Sequence, residues 1–110
     1  METATDLRIV LTTWPADRAA DDAATALVQE QLAACVSVLP PMTSHYRWRG
    51  ALERADERQL VIKTTAARLE ALEARLRALH PYDEPELLVL DARGSATYGA
   101  WVRDATRHSG

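Results

Sequence analysis

The sequence has few of the residues on which several common kinds of site depend. Among its 110 residues there are one cysteine, four glycines and no phenylalanine. A single thiol forms neither an internal disulfide nor a thiolate-rich zinc site. The chain also lacks a glycine-rich phosphate loop, a Gly-x-Ser-x-Gly elbow and paired His-x-x-x-His or Cys-x-x-Cys ligands. These absences argue against a conventional enzyme and against a metal cage built within one chain.

Long apolar runs and concentrations of one charge are missing too. No apolar segment approaches the roughly 20 residues that span a bilayer. Residues 1–6 show neither the basic start nor the apolar stretch of a signal peptide. The 13 basic and 16 acidic residues are interspersed along the chain, without a basic stripe. We therefore expect a cytoplasmic protein without a nucleic-acid or membrane partner.

The alternation of apolar and polar residues predicts one α+β domain over residues 1–110, with a flexible N-terminus at residues 1–6. Predicted strands cover residues 7–13, 35–39, 44–49, 51–65 and 86–90, and predicted helices cover residues 16–34, 66–79 and about 97–107. The second and third strands read as one strand kinked at Pro40 and Pro41. This order is the ferredoxin-like βαββαβ arrangement, with an antiparallel sheet, both long helices on one face and an extra C-terminal helix.

That arrangement leaves the second face of the sheet without a helix. Residues 59–65 (QLVIKTT) contain consecutive apolar side chains, and neighbouring side chains of a strand point to opposite faces. Apolar groups are therefore expected on the uncovered face as well. Other copies of the same chain are the economical cover, so we expect a homo-oligomer.

Cys35, at the start of the second predicted strand, has two interpretations. A small buried thiol often does no more than fill space in a core. A partly exposed thiol beside a cation or a second ligand would instead be a soft ligand for copper or a redox-sensitive group.

His80 opens residues 80–86, a segment that two prolines stiffen. Its ring either bonds to the last carbonyls of the preceding helix or belongs to a site. Tyr82 and Glu86 are site candidates as well, because a stiff loop between a helix and a strand holds polar side chains at little entropic cost.

Three further residues lie in patterns that suit either packing or binding. Lys63 lies within an apolar strand, so it must reach an edge, pair with an acid or face a ligand. Trp48 alternates with arginines at the tip of the predicted hairpin, and Trp101 shares a helix face with Tyr98. Both tryptophan patterns are typical of core or intersubunit packing, and both rings are also candidates for the wall of a cleft.

Four segments together resemble the signatures of the CutA divalent-cation tolerance family. They are LAACV at 32–36, SHYRWRG at 44–50, LVIKTT at 60–65 and HPYDEPEL at 80–87. The order and spacing match, and the resemblance extends over nearly the whole chain. It implies a ferredoxin-like homotrimer related in structure to PII-type signalling proteins, with ligands in clefts between subunits.

The resemblance also implies a link to tolerance of copper and other divalent cations, and roles for particular residues. The implied metal ligands are Cys35 and His80, the implied anion contact is Lys63, and the implied cleft residues are Tyr82, Glu86, Trp48 and Trp101. The leading hypothesis is thus a non-enzymatic homotrimer that binds copper(II), another divalent cation or a small anionic ligand in its clefts.

Two other hypotheses stay open at the level of sequence. The first is a PII-like signalling or structural trimer that docks a protein partner and binds no metal tightly. The second is a catalytic cleft in which Lys63, His80 and Glu86 act as acid and base groups.

Overall fold

The computed structural model, which describes residues 2–107, contains a five-stranded antiparallel sheet and three helices. The strands are β1 (Thr3–Pro15), β2 (Cys35–Val38), β3 (Met42–Trp48), β4 (Ala51–Thr65) and β5 (Leu88–Ser95), and the helices are α1 (Ala20–Gln29), α2 (Leu69–Leu79) and α3 (Ala96–Ala105). The sheet order is β2-β4-β1-β5, and β3 pairs with the remaining length of β4. The predicted α+β fold, with its antiparallel sheet and additional C-terminal helix, is confirmed.

Strands β2 and β3 share one long partner. Strand β2 pairs with β4 from Cys35 opposite Lys63 to Val38 opposite Leu60, and β3 pairs with β4 up to Met42 opposite Glu57. Two consecutive prolines between them lack the N–H groups that a continuous ladder needs. The result is the predicted kinked strand, with a two-stranded hairpin of β3 and β4 beyond the kink.

The main core lies between the sheet and the first two helices. Strand residues Leu60 and Ile62 are fully buried there against Leu27 of α1 and Leu72 and Leu76 of α2. Each such side chain contributes about 1.5–3 kcal/mol when removed from water. Both long helices therefore cover one face of the sheet, as the sequence predicts.

Helix α1 is shorter than the predicted helix at 16–34. Before it, the backbone N–H of Ala16 donates to Asp56, which holds this residue beside β4. At its other end Gln31 adopts a left-handed φ of 59°, and the N–H of Leu32 donates to the carbonyl of Leu27. This is a Schellman-type ending, which the apolar periodicity of the sequence does not reveal.

The N-terminal segment expected to be flexible is mostly strand. Thr3 pairs with Ser95 and Ala4 with Gly94, and Ala4 is buried beside Val102 of α3. From Thr3 onward the segment belongs to β1, because β5 extends farther than the predicted 86–90 and supplies a partner. Met1 lies outside the described residues.

The opposite face of the sheet is partly open. We call it the open sheet face and define it by the side chains of Ile9, Leu11, Val61, Leu88 and Leu90, which the strand register brings together. Leu88 and Leu90 are 54% and 49% exposed. Helix α3 covers only one end of this face. The three helices have 10 or 11 residues, about half the length that spans a bilayer.

Two buried threonines give a matched test of the core. Thr12 is fully buried and its hydroxyl has no hydrogen-bond partner within the described chain, whereas the Thr64 hydroxyl donates to the Leu32 carbonyl at 2.8 Å. Thr12→Val should raise the free energy of unfolding by about 1 kcal/mol, because it removes an unpaired polar group. Thr64→Val should lower it by about 1 to 2 kcal/mol. Guanidinium unfolding at a fixed chain concentration checks both predictions. A Thr12→Val variant less stable than the parent would contradict the interpretation of the Thr12 hydroxyl as an unpaired buried group.

Candidate functional site

The candidate site is an open cleft between the β3–β4 hairpin and the loop that joins α2 to β5. It encloses about 870 Å³. From the hairpin side it is lined by Met42, Ser44, His45, Tyr46, Trp48, Arg49, Glu57 and Gln59, and from the loop side by Pro81, Tyr82, Asp83, Glu84, Pro85 and Glu86. Four of these side chains are carboxylates and three are aromatic rings of tyrosine or tryptophan. We call it the hairpin cleft.

His80 anchors the loop side of the hairpin cleft. Its Nε2 lies 2.7 Å from the Thr13 carbonyl oxygen, and its Nδ1 accepts a 3.1 Å hydrogen bond from the backbone N–H of Tyr82. Because Nδ1 accepts, Nε2 must carry the proton and donate, which defines the neutral tautomer. The ring also packs on Trp14, with centroids 4.2 Å apart. Burial lowers the pKa of His80, outweighing the opposing effects of the Thr13 bond and of Glu57.

Gln59 connects the sheet to the end of the loop. Its side-chain amide donates to the Thr12 carbonyl oxygen at 2.7 Å and to Oε2 of Glu86 at 3.0 Å. An amide nitrogen carries two protons, so both bonds form together. Glu86 is thereby oriented by a neutral donor.

Tyr82 and Glu57 form the third link across the hairpin cleft. The Tyr82 hydroxyl donates to Oε2 of Glu57 at 2.7 Å. Burial, followed by this bond, raises the pKa of the Tyr82 phenol well above its usual range. The phenol therefore stays a hydrogen-bond donor at neutral pH.

Two exposed aromatic side chains form the hairpin wall. Tyr46 is 44% exposed and Trp48 is 48% exposed. The Arg49 guanidinium lies 5.6 Å from the centroid of the Trp48 ring, within the range of a cation–π contact. Arg49 itself has a left-handed φ of 51° and begins the tight turn completed by Gly50.

Comparisons with known proteins agree on one family. The model of the CutA1 divalent ion tolerance protein matches residues 8–105. A divalent-cation tolerance protein CutA of Thermus thermophilus is 43% identical over 99 residues, which cover 89% of this chain and 96% of that protein. The chain belongs to the CutA family.

Solved CutA structures have the same fold. A CutA structure from Synechococcus elongatus superposes with a TM-score of 0.87 at 42% identity, covering 96% of each chain. One from Xylella fastidiosa gives a TM-score of 0.88 at 40% identity, covering 93% of this chain and 99% of that one.

In this CutA chain the structure brings together only some of the predicted site residues. Tyr82, Glu86 and Trp48 all line the hairpin cleft. Lys63 lies elsewhere, half-buried on the same side of the sheet as the open sheet face, and it makes no ion pair with any residue in 2–107. Trp101 lies on α3 and packs on Tyr98 with centroids 5.5 Å apart, so it does not line the cleft of its own chain.

The expected metal pair of Cys35 and His80 is not formed within one chain. Cys35 pairs with Lys63, whereas Thr13, the partner of His80, pairs with Gln59. Lys63 and Gln59 are four residues apart on β4, which corresponds to roughly 13 Å. Both ring nitrogens of His80 are also engaged in hydrogen bonds. His80 therefore holds the loop in place here and has no nitrogen free for a metal.

Glu57 and Gln59, the hydrogen-bond partners of Tyr82 and Glu86, were not among the predicted site residues. A signal was present, because residues 57, 59, 61 and 63 alternate along β4 and so point to one side of the sheet. Glu57 and Gln59 share this side of β4 with Lys63, which was already a site candidate, and this shared side could have marked them. Their partners in the loop could not be read from the sequence.

The buried His80 gives a pH prediction. Its pKa is lowered in the folded chain, so the unfolded chain binds more protons between that value and about 6.5. Stability from the neutral ring is complete above about pH 6.5 and is lost as the pH falls toward the folded value. The free energy of unfolding should therefore decrease from pH 7.5 to 5.5, and this decrease should shrink in His80→Gln.

The matched control is His45→Gln, which removes an exposed histidine of β3. Its profile of unfolding free energy against pH should follow that of the parent chain. Equal slopes in the parent and His80→Gln, measured by denaturant titration at each pH, would show that His80 is not the group responsible.

Proposed function

We propose that this CutA chain acts in divalent-cation tolerance as a homotrimer that binds a divalent metal ion or a small ligand in clefts between its copies. The observation that carries the proposal is the acidic hairpin cleft. Two of its lining residues, Glu57 and Gln59, lie on the same side of β4 as the open sheet face. The tolerance role is supported by the names of its relatives. Cytoplasmic location and a non-enzymatic role belong to the same proposal.

The open sheet face supports the assembly. Leu88 and Leu90 of β5, at about half exposure, form a continuous patch with the less exposed Ile9 and Leu11 of β1, and such patches mark protein interfaces. Trimers close by rotation, so each copy presents this face and its free strand edges to its neighbours. Residues next to the face, including Cys35 and Lys63, then lie close to a second copy.

A charge on the open sheet face should prevent assembly. Leu90→Glu places one carboxylate per copy in the proposed interface, where its desolvation is not compensated. Native mass spectrometry should find the parent chain at three times the 12.2 kDa chain mass and Leu90→Glu mainly as monomer. The control is Val28→Glu, a similarly exposed position on the helix side of the fold, which should stay trimeric. A trimeric Leu90→Glu variant would contradict this interface.

Direct metal binding needs more than one chain. Within residues 2–107 no group of three His, Cys, Asp or Glu side chains is close enough to hold a metal ion. In the proposal Cys35 supplies a soft ligand from one copy and the remaining ligands come from a neighbour, while Lys63 contacts an anion. Copper is the first metal to test, because thiol ligands and the divalent affinity order both favour it.

The copper prediction has a matched pair of variants on β2. Limiting copper, added in the presence of zinc and magnesium, should bind the trimer in a stoichiometric amount. Cys35→Ser should weaken copper binding at least about tenfold, since even the outer partners of metal ligands contribute that much. Ser37→Ala, which changes a hydroxyl 3.9 Å from the Cys35 sulfur, should bind copper as the parent does.

Either of two results would contradict direct metal binding through Cys35. One is unchanged copper affinity in Cys35→Ser. The other is a trimer that takes up no copper, which would favour the PII-like alternative in which the trimer docks a protein partner.

A further inference from the structure

Glu57 is a buried carboxylate without a cationic partner. Its side chain belongs to a residue only 7% exposed, and its one hydrogen-bond partner in residues 2–107 is the neutral hydroxyl of Tyr82. None of the ion pairs in the described chain includes it. A carboxylate removed from water is costly unless an opposite charge compensates it. Because this carboxylate also lines the open hairpin cleft, a cation bound in the cleft can act as its counter-ion.

The two basic residues on the lining of the hairpin cleft do not supply this charge. Neither His45 nor Arg49 forms an ion pair with Glu57, and the Arg49 guanidinium lies over the Trp48 ring instead. Glu86, also on the lining, is held by the neutral amide of Gln59. Both hydrogen-bonded carboxylates of the cleft are thus oriented by uncharged donors, which leaves their negative charge available to a ligand.

Aromatic rings surround the same space. Tyr46, Trp48 and Tyr82 line the hairpin cleft beside Glu57. The electron-rich faces of such rings attract organic cations, and Arg49 over Trp48 already shows one of them in contact with a cation. A bare metal ion gains little from such walls, because it needs several oxygen, nitrogen or sulfur ligands within about 2 to 2.6 Å.

The size of the space favours a small molecule over a single ion. A volume of about 870 Å³ lies within the range of small-molecule sites, which is about 300–1,000 Å³. No cluster of three metal-binding side chains forms in the described part of the chain. We infer that the hairpin cleft binds an organic cation of the alkylammonium class, with Glu57 as its counter-ion and Tyr46 and Trp48 against its alkyl groups. This inference rests on the proposed function in taking the cleft as a ligand site.

Choline is a suitable probe because an uncharged molecule of the same shape exists. In 3,3-dimethylbutan-1-ol a carbon atom replaces the quaternary nitrogen, so the two compounds differ in charge and little else. Titration calorimetry of the parent protein should detect choline, and the indole N–H signal of Trp48 should shift in NMR spectra. The uncharged alcohol should bind at least roughly tenfold more weakly, the effect of losing one charged contact.

Two variants test the role of Glu57. Glu57→Gln keeps an oxygen that accepts the hydrogen bond from the Tyr82 hydroxyl and removes only the charge. The variant should therefore fold, and its affinity for choline should be lower by a factor of roughly ten or more. The control is Glu70→Gln, which removes one charge on α2, away from the hairpin cleft, and should bind choline as the parent does. Thermal unfolding of both variants verifies that they are folded.

Three outcomes would overturn the inference. Equal affinity for choline and its uncharged counterpart would show that the cleft selects only apolar shape. Equal affinity of the parent and Glu57→Gln for choline would remove Glu57 as the counter-ion. No choline binding by a trimer that binds copper would reject the organic cation while leaving the proposed function standing, whereas choline binding without copper uptake would support the inference and reject the metal.

Discussion

Two consecutive carbonyl oxygens at the end of β1 hold the candidate site together. Strand β5 pairs with β1 only as far as Leu11 opposite Leu88, and beyond that point the carbonyls of Thr12 and Thr13 accept side-chain donors. Buried backbone oxygens need such partners. One donor comes from β4 and the other from the residue that ends α2. These two hydrogen bonds thus tie both walls of the hairpin cleft to β1.

The shape of the loop depends on these two bonds. His80 is fixed by the Thr13 bond and by packing on Trp14, and its other nitrogen then holds the N–H of Tyr82. Pro81 and Pro85 restrict the backbone between His80 and Glu86, so little conformational entropy remains to be lost when a ligand binds. The acidic groups of the cleft are therefore positioned before any ligand arrives.

In the proposed trimer, the side-chain alternation of β4 would connect assembly with ligand binding. Residues 57, 59, 61 and 63 point to one side of the strand, so a single strand carries a cleft carboxylate at one end and part of the open sheet face at the other. A copy docked on that face would lie next to the cleft. The affinity for a ligand held by Glu57 would then depend on assembly, because both involve the position of the same strand.

The sequence predicted the elements and their order because these depend on local patterns. Alternating apolar residues marked β4, leucines at helical spacing marked α2, and prolines marked the kink between β2 and β3. Element ends were less predictable. The left-handed Gln31 that ends α1 and the pairing of Thr3 with Ser95 both depend on contacts that no short pattern contains.

In the candidate site, too, features that depend on neighbouring residues were predictable, and features that depend on distant contacts were not. Tyr82 and Glu86, which the loop sequence predicts as site residues, line the same cleft because a short stiff segment keeps its own residues together. The sequence left His80 open between a bond to backbone carbonyls and a site role, and the ring binds a carbonyl 67 positions earlier in the chain. An imidazole that looks like a free metal ligand in the sequence becomes a structural anchor once both nitrogens have partners. The decisive property of Glu57, a carboxylate buried without a cation, is likewise a property of its surroundings in the fold, and only the structure could reveal it.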